Sequence, residues 1–388
     1  MNILFFCEHP IVATDGGISR ITDSLVSVFR NYGHCVFILS AKKQVNAIVD
    51  EKQVYLPNDL YDEKSLIFAS NFCKKNKINL IVNQNAANVS VVNFFERLKE
   101  LADISIYSCM HNCTETPILN YAYQKEFLLR QRHLTFFYYL LKTNIVKNLI
   151  RWLYIWKYKK LYTKVAEISD YVLVLNDKLV EEFKIFVSKR YYSKIKVVPN
   201  CLPLREWNNK CCKEKILLWV GRVDVSVKRI DLMLNAWKLI YKLNMGWKLY
   251  VLGDGPYIEF AKNFVLSNNL KNVFFEGRVN PYPYYEKASM LAVTSSHESF
   301  SLVTLEALQH KVVPVVMNSF PFASSLIQSG VNGVLINKFD YNSLADSLNS
   351  LMKDDALLSK MSKTCVESAA RFSPELVYRD YWSKILVG

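Results

Sequence analysis

Two glutamates stand eight positions apart in "SSHESFSLVTLEAL", residues 295–308. Glu298 lies in a polar run. Glu306 lies among apolar residues, between "MLAVTS" and "VVPVV", which read as buried strands. A carboxylate has two acceptor oxygens side by side, which suits a pair of vicinal hydroxyls such as those of a ribose. As the acid and base of a glycoside hydrolase the two are too far apart. Eight helical residues span about 12 Å, beyond the roughly 5–9.5 Å that such a carboxylate pair needs. Two separate binding roles fit better, with an ion pair to a neighbouring Lys or Arg as the competing use of Glu306.

A helix beginning near Phe300 would aim the backbone N–H groups of Ser301, Leu302 and Val303 at an anion. "GRVDVSVK" puts Arg222 and Lys228 around a turn after a strand. A planar fork and a point charge together can neutralise a diphosphate, although a solvated basic loop has the same composition, and Arg229 beside them fits that description. Gly16, Gly17 and Arg20 follow the first strand and open its helix, where a backbone can approach a ligand closely. "GDGP", residues 253–256, is weaker, because Ile258 stands where the dinucleotide fingerprint needs its third glycine.

The elements that position these residues alternate strand and helix. "NILFFC", "CVFILS", "INLIVN", "ISIYSC", "YVLVLN" and "IKVVPN" read as strands of one parallel sheet, with a helix over about 18–32 and a largely helical stretch over 118–168. Asn176 or Asp177 is the expected N-cap after "YVLVLN". "CLPLREWNNKCCKEK" breaks the pattern as a linker. "ILLWVG", "WKLYVLG", "NVFFEG", "MLAVTS" and "VVPVV" then make a second α/β series, with a helix over about 228–243. At 388 residues the chain is long enough for two domains. The nine cysteines include no C-x-x-C pair, which argues against a zinc site or a disulfide framework. No signal peptide or transmembrane run is expected.

The set "DGG", "VPN", "GRVDVSVKR", "GDGP" and "HESFSLVTLEAL" resembles glycosyltransferase family 4 over nearly the whole chain, most specifically over 216–318. The resemblance implies an α/β chain of GT-B fold, two facing Rossmann-like domains with a cleft between them. Residues 1–200 would be the acceptor-side domain, 201–212 the linker and 213–372 the nucleotide-sugar-binding domain, with the final helix, about 373–388, packing back on the first. It implies retaining transfer of a sugar from a nucleotide-diphosphate-sugar to an acceptor hydroxyl, in bacterial surface polysaccharide or glycolipid synthesis. Arg222 and Lys228 would hold the diphosphate, Glu306 the ribose, and the backbone from Phe300 through Ser301 and Leu302 to Val303 the phosphates. Gly16 and Gly17 would let the first loop approach the donor, and His111 and Glu298 would be the catalytic pair. A UDP-sugar is the favoured co-substrate, without a further cofactor. The acceptor is a glycan or lipid-linked saccharide. No D-x-D occurs, so no metal-bridged diphosphate is expected. Ser301 and Cys201 stand where the family usually has glycine, each adding a side chain near the donor. A nucleotide-sugar epimerase of similar architecture and a non-catalytic subunit of a membrane glycan-assembly complex remain as alternatives.

The net charge of +14 is unevenly placed. From Phe127 to Ala166 there is no acid, but Arg130, Arg132, Lys142, Lys147, Arg151, Lys157, Lys159, Lys160 and Lys164. A helical wheel over 142–156 puts Ile145, Val146, Leu149, Ile150, Trp152, Leu153 and Trp156 on one side and Thr143, Asn144, Lys147, Asn148 and Arg151 on the other, with Ile155 and Lys142 as exceptions. Interfacial aromatics and clustered lysines point to an anionic membrane surface, reached through about 134–165. A core-facing helix with a solvated basic back is the competing account. Base stacking on the aromatics would suit nucleic acid, but no nucleic-acid module accompanies them. The expected location is cytoplasmic, peripheral on the inner face of the membrane.

Overall fold

A computed structural model describes residues 1–11, 17–43, 52–203 and 212–387. The described residues form two units. One comprises Met1–Thr114, Trp152–Pro203 and Phe372–Gly388; the other comprises Glu115–Arg151 and Leu204–Arg371.

The first unit is built on β1 (Asn2–Cys7), β2 (Cys35–Ser40), β3 (Gln53–Tyr55), β4 (Leu80–Asn83), β5 (Ser105–Met110), β6 (Tyr171–Val174) and β7 (Ile195–Val197). They lie in the order β3-β2-β1-β4-β5-β6-β7, and every pairing is parallel. Five of the six residues of β1 are buried, as expected of a parallel strand covered by helices on both faces. Phe5 packs edge-on against Phe29 of the helix Gly17–Asn31, ring centroids 5.4 Å apart. The chain's last turns return to the same place. Tyr378 and Trp382 each meet Phe29 at 5.1 Å, and the Tyr107 hydroxyl donates to the Ile385 carbonyl at 2.8 Å.

The second unit holds β8 (Glu214–Val220), β9 (Lys248–Leu252), β10 (Val273–Gly277), β11 (Ala288–Val293), β12 (Val313–Met317) and β13 (Val334–Ile336), in the order β10-β9-β8-β11-β12-β13, again parallel. Trp219 and Trp237 are fully buried, and the Trp219 indole N–H is satisfied by Thr294 Oγ1 at 2.9 Å. Both sheets reverse their strand order once, between β1 and β4 and between β8 and β11. Ligands of open α/β sheets bind beyond the carboxyl ends of the strands at such points.

The expected strands are all present, most of them within a residue or two at each end. β3 and β13 are not foreseen by the sequence, because each is a three-residue edge strand too short to show a period. Asn176 is the N-cap, its side chain accepting from Leu179 N at 3.0 Å.

The division of the chain differs from the sequence expectation in one segment. Residues 115–151, expected within the first domain, group with the second unit. Arg229 is one tie that holds this segment there. It is not part of a solvated loop but 1% exposed, in the left-handed region at φ +55. Its guanidinium donates to Asp231, to Glu126 at 3.2 Å and to the Tyr123 carbonyl at 2.6 Å. Tyr123 against Phe339, Phe127 against Phe260, and Asn120 Nδ2 donating to the Ser296 and Ser319 carbonyls at 2.7 and 2.5 Å add to the attachment. Most of the expected linker, 204–211, lies outside the described residues.

Candidate active site

The loop after β8 is organised by a residue the sequence reading missed, Asp224, which is 3% exposed. One carboxylate oxygen accepts from the backbone N–H groups of Ser226, Val227 and Lys228, at 3.0, 2.6 and 3.0 Å. The other accepts from Arg222 Nε at 2.9 Å. Burial alone would raise the Asp224 carboxyl. The converging N–H donors and the guanidinium outweigh it and hold the group below the usual carboxylate range. "GDGP" finds its reason here too. A Cβ on Gly253 would lie 1.9 Å from the Gly221 carbonyl oxygen, and one on Gly255 would lie 2.6 Å from that of Val223. These glycines let the β8 and β9 loops touch.

The loop after β11 is stitched to this one. Ser296 N donates to the Val227 carbonyl at 2.7 Å, Thr294 Oγ1 to the Lys228 carbonyl at 2.7 Å, and Ser296 Oγ to the Ser226 carbonyl at 2.9 Å. Across this seam the Lys228 ammonium and the Glu298 carboxylate form an ion pair, and Ser295 Oγ donates to the same Glu298 oxygen at 2.7 Å. Arg222 turns the other way, toward Asp224, and stays largely exposed.

The helix expected to begin near Phe300 begins two residues later, as Leu302–Gln309. Ser301 is its N-cap and sits in the left-handed region, φ +64 and ψ +71. That conformation explains why glycine would be usual at this position: a side chain is strained there. The Ser301 hydroxyl is tied to Thr304 Oγ1 at 2.8 Å. Thr304 and Leu305 donate their N–H groups to the Ser301 carbonyl, at 3.0 and 3.3 Å. The amides of Leu302 and Val303 are left without a partner among the described residues. Phe300 is buried, its ring stacked on Phe322 at 4.3 Å. Glu306 is only the fifth residue of the helix and 1% exposed, with the Tyr285 hydroxyl donating to Oε2 at 3.1 Å. The partner that meets Oε2 is thus a neutral phenol.

The remaining expected residues belong to the first unit. Gly17 is the first residue of the helix after β1, whereas Gly16 lies outside the described residues. His111 follows β5, and its Nε2 faces Gln84 Oε1 at 2.5 Å. Burial drives its pKa down to about 4, with the Asn200 side chain pulling the other way. The ring is therefore neutral near pH 7. It acts as a hydrogen-bonding group and not as a cation. At or just beyond the carboxyl ends of the adjacent strands β4, β5 and β6, the side-chain nitrogens of Asn83, Gln84 and Asn176 and the Thr114 hydroxyl are buried without partners among the described residues. Buried polar atoms are usually paired, so these strand ends suit a hydroxyl-rich ligand. Each of these residues ends or closely follows a strand, which was the available signal. Cys201 is fully buried in this unit, its thiol pushed up to about 12 by burial, so its side chain faces the core. Among the described residues no group of three His, Cys, Asp or Glu gathers in a metal-holding cluster.

Comparison with known proteins bears on both units. Residues 204–371 match the family "Glycosyl transferases group 1". The chain is 27% identical over 222 residues to a poly(glycerol-phosphate) alpha-glucosyltransferase of Bacillus subtilis, covering 56% of this chain and 32% of that protein. It is 26% identical over 175 residues to an alpha-1,4-N-acetyl-D-galactosaminyltransferase of Campylobacter jejuni that is named for a diphospho-undecaprenol-linked saccharide, covering 45% and 48%. The chain thus spans less than half the length of either curated relative. Among solved structures, Staphylococcus aureus TarM in complex with fondaparinux, alpha-GlcNAc-glycerol and UDP superposes with a TM-score of 0.75 at 13% identity, over 100% of both chains. The chain therefore has the GT-B fold, and its residues 204–371 match the glycosyl transferases group 1 family.

Proposed function

We propose that the protein is a retaining glycosyltransferase of family 4 type, moving a sugar from a UDP-sugar to a hydroxyl of a glycan or lipid-linked saccharide in the synthesis of a bacterial surface polymer. The observation that carries this reading is the convergence of Lys228, Glu298, the free amides of Leu302 and Val303, and buried Glu306 at the strand-order reversal between β8 and β11. The relatives' names support the reaction class, and the UDP in the TarM structure supports the donor.

In this reading the Leu302 and Val303 amides and the Lys228 ammonium bind the diphosphate, with Arg222 released from Asp224 to join them. Glu306 accepts from the ribose hydroxyls and Glu298 contacts the donor sugar. As the bond from the anomeric carbon to the phosphate oxygen breaks, the diphosphate gains charge, and the ammonium, guanidinium and helix N-terminus stabilise it. The acceptor hydroxyl attacks on the same face, and its proton passes to a phosphate oxygen of the leaving UDP. His111, uncharged, positions hydroxyls on the acceptor side.

The protein would work at the cytoplasmic surface of a membrane. The helix of this region runs from Asn144 to Ile168, not through 142, because Thr143 is extended. Its buried residues are Tyr162, Val165, Ala166 and Ile168. The earlier turns expose Ile145 (83%), Leu149, Trp152, Leu153 and Trp156 (73%), which counts against the core-facing account for this part. No helix among the described residues is long and apolar enough to cross a membrane.

The test is a mass-spectrometric screen of UDP-sugars with saccharide acceptors, lipid-linked and free. Transfer with the donor's anomeric configuration kept is the expected result. Release of a free sugar epimer without acceptor, or absence of any UDP binding, would overturn it.

A further inference from the structure

The helices Tyr121–Gln131 and Thr135–Lys142 form a hairpin that lines an open cavity of about 440 Å³, within the usual range for small-molecule sites. Its lining comes entirely from residues 121–141. Five leucines and Phe137 make most of the wall, and Lys125 and Arg132 are its charged members. Leu134, Phe137 and Leu140 line the cavity and are also 38–50% exposed, so the mouth itself is apolar. A water-filled pocket with a greasy rim is costly to leave open.

We infer that this hairpin pocket binds the hydrocarbon chain of an isoprenoid phosphate, with the phosphate on Lys125 and Arg132. The inference rests on the lipid-linked acceptor proposed above and adds the site that holds its lipid. The argument for the occupant is charge. The hairpin's one acid, Glu126, is engaged by Arg130 and by buried Arg229. No carboxylate lines the cavity to oppose an anion. Lys125 lies over the Tyr121 ring, 5.3 Å from its centroid, and among the described residues no carboxylate pairs with its ammonium. An apolar chamber with two uncompensated cations and no acid matches an apolar chain with an anionic head. A peptide or a second copy of this chain would leave both charges unmet. A phosphate between them gains charge-assisted hydrogen bonds, bidentate from Arg132.

The test is calorimetric titration of the full chain with farnesyl phosphate below its critical micelle concentration, beside farnesol, inorganic phosphate and phosphatidylglycerol vesicles. Farnesyl phosphate should bind at least about tenfold more tightly than either fragment of itself. Leu128→Trp, which fills the cavity, and Arg132→Ala, a surface change that leaves packing alone, should each weaken it about tenfold or more. Vesicle binding should survive Leu128→Trp, because the exposed turns of Asn144–Ile168 are untouched. Equal affinity for farnesyl phosphate and inorganic phosphate, or unchanged farnesyl phosphate binding in both variants, overturns the inference. Parallel loss of vesicle and farnesyl phosphate binding in Leu128→Trp also overturns it, since the leucines then only shape a membrane-facing surface. None of these readouts needs sugar transfer. A chain that binds farnesyl phosphate here but transfers no sugar defeats the catalytic reading and leaves the pocket standing.

Discussion

Lys228 and Glu298, seventy residues apart in the chain, form an ion pair across the seam between the β8 and β11 loops, and both are largely shielded from solvent. The cation expected to meet a diphosphate is therefore already neutralised by the carboxylate expected to meet the sugar. In the proposed function, ligand binding would exchange one anionic partner of Lys228 for another.

This exchange makes the two variants diverge. Lys228→Ala should weaken UDP about tenfold or more while uridine, which lacks the diphosphate, is little affected. Glu298→Gln frees Lys228, so UDP should bind as tightly or more tightly while sugar transfer falls. Calorimetry with UDP and uridine decides it; a UDP affinity that drops equally in both variants would mean that the pair only supports the loop. Transfer should persist in EDTA, and its loss with rescue by Mn²⁺ would contradict charge stabilisation by side chains alone.

Glu306→Gln keeps the shape of a fully buried residue and one acceptor for Tyr285, so the fold should stay intact. Loss of a charge-assisted hydrogen bond costs about 1.5–3 kcal/mol, and UDP affinity should fall about tenfold or more. The matched ligand is 2′,3′-dideoxy-UDP, which should bind wild type and variant alike. A variant that still prefers UDP by the wild-type margin removes Glu306 from the ribose site.

His111 should not titrate near neutrality. Burial lowers its pKa from 6.5 to about 4. Between those values the unfolded chain binds a proton that the folded chain does not, so stability rises with pH across this window and is lost as pH falls through it. His111→Gln should flatten the decline in stability between about pH 6 and pH 4.5. In an NMR titration the His111 ring should stay neutral at pH 6; a midpoint near 6.5 would show that the ring is solvated and not enclosed.

Arg229→Ala removes the cation from buried Asp231 and from Glu126 at once. Breaking a buried pair costs about 3–5 kcal/mol, and the loss should appear in denaturant unfolding. Hydrogen exchange should rise over Tyr121–Gln131 more than over Val89–Leu101, because the first helix is held through Arg229 and the second is not. Arg229→Lys should rescue little, since one ammonium cannot reach all three acceptors.

Binding of the whole chain to phosphatidylglycerol vesicles should weaken with salt and fall when Lys157, Lys159 and Lys160 are changed to Glu, each basic residue adding about 1 kcal/mol near an anionic surface. Wild-type protein that stays in the supernatant at low salt would sink the membrane proposal.

The sequence alone determined the strands, their parallel class, the two-unit architecture and the identity of the residues after β8 and β11, because hydrophobic period and strand-end position are local properties. It also marked Ser301 as a departure; the left-handed backbone there supplied the reason. Three features needed the folded chain. The Lys228–Glu298 pair depends on β8 and β11 becoming neighbours at the point where strand order reverses. The role of Asp224 depends on a turn that aims three amides at one oxygen, which no spacing rule announces. Residues 115–151 group with the other unit, where Arg229, read as a solvated charge, is buried and holds Glu126 and the Tyr123 carbonyl, and where Asn120 reaches the Ser296 and Ser319 carbonyls. Composition shows that a charge is present; only tertiary structure decides whether water or another side chain satisfies it.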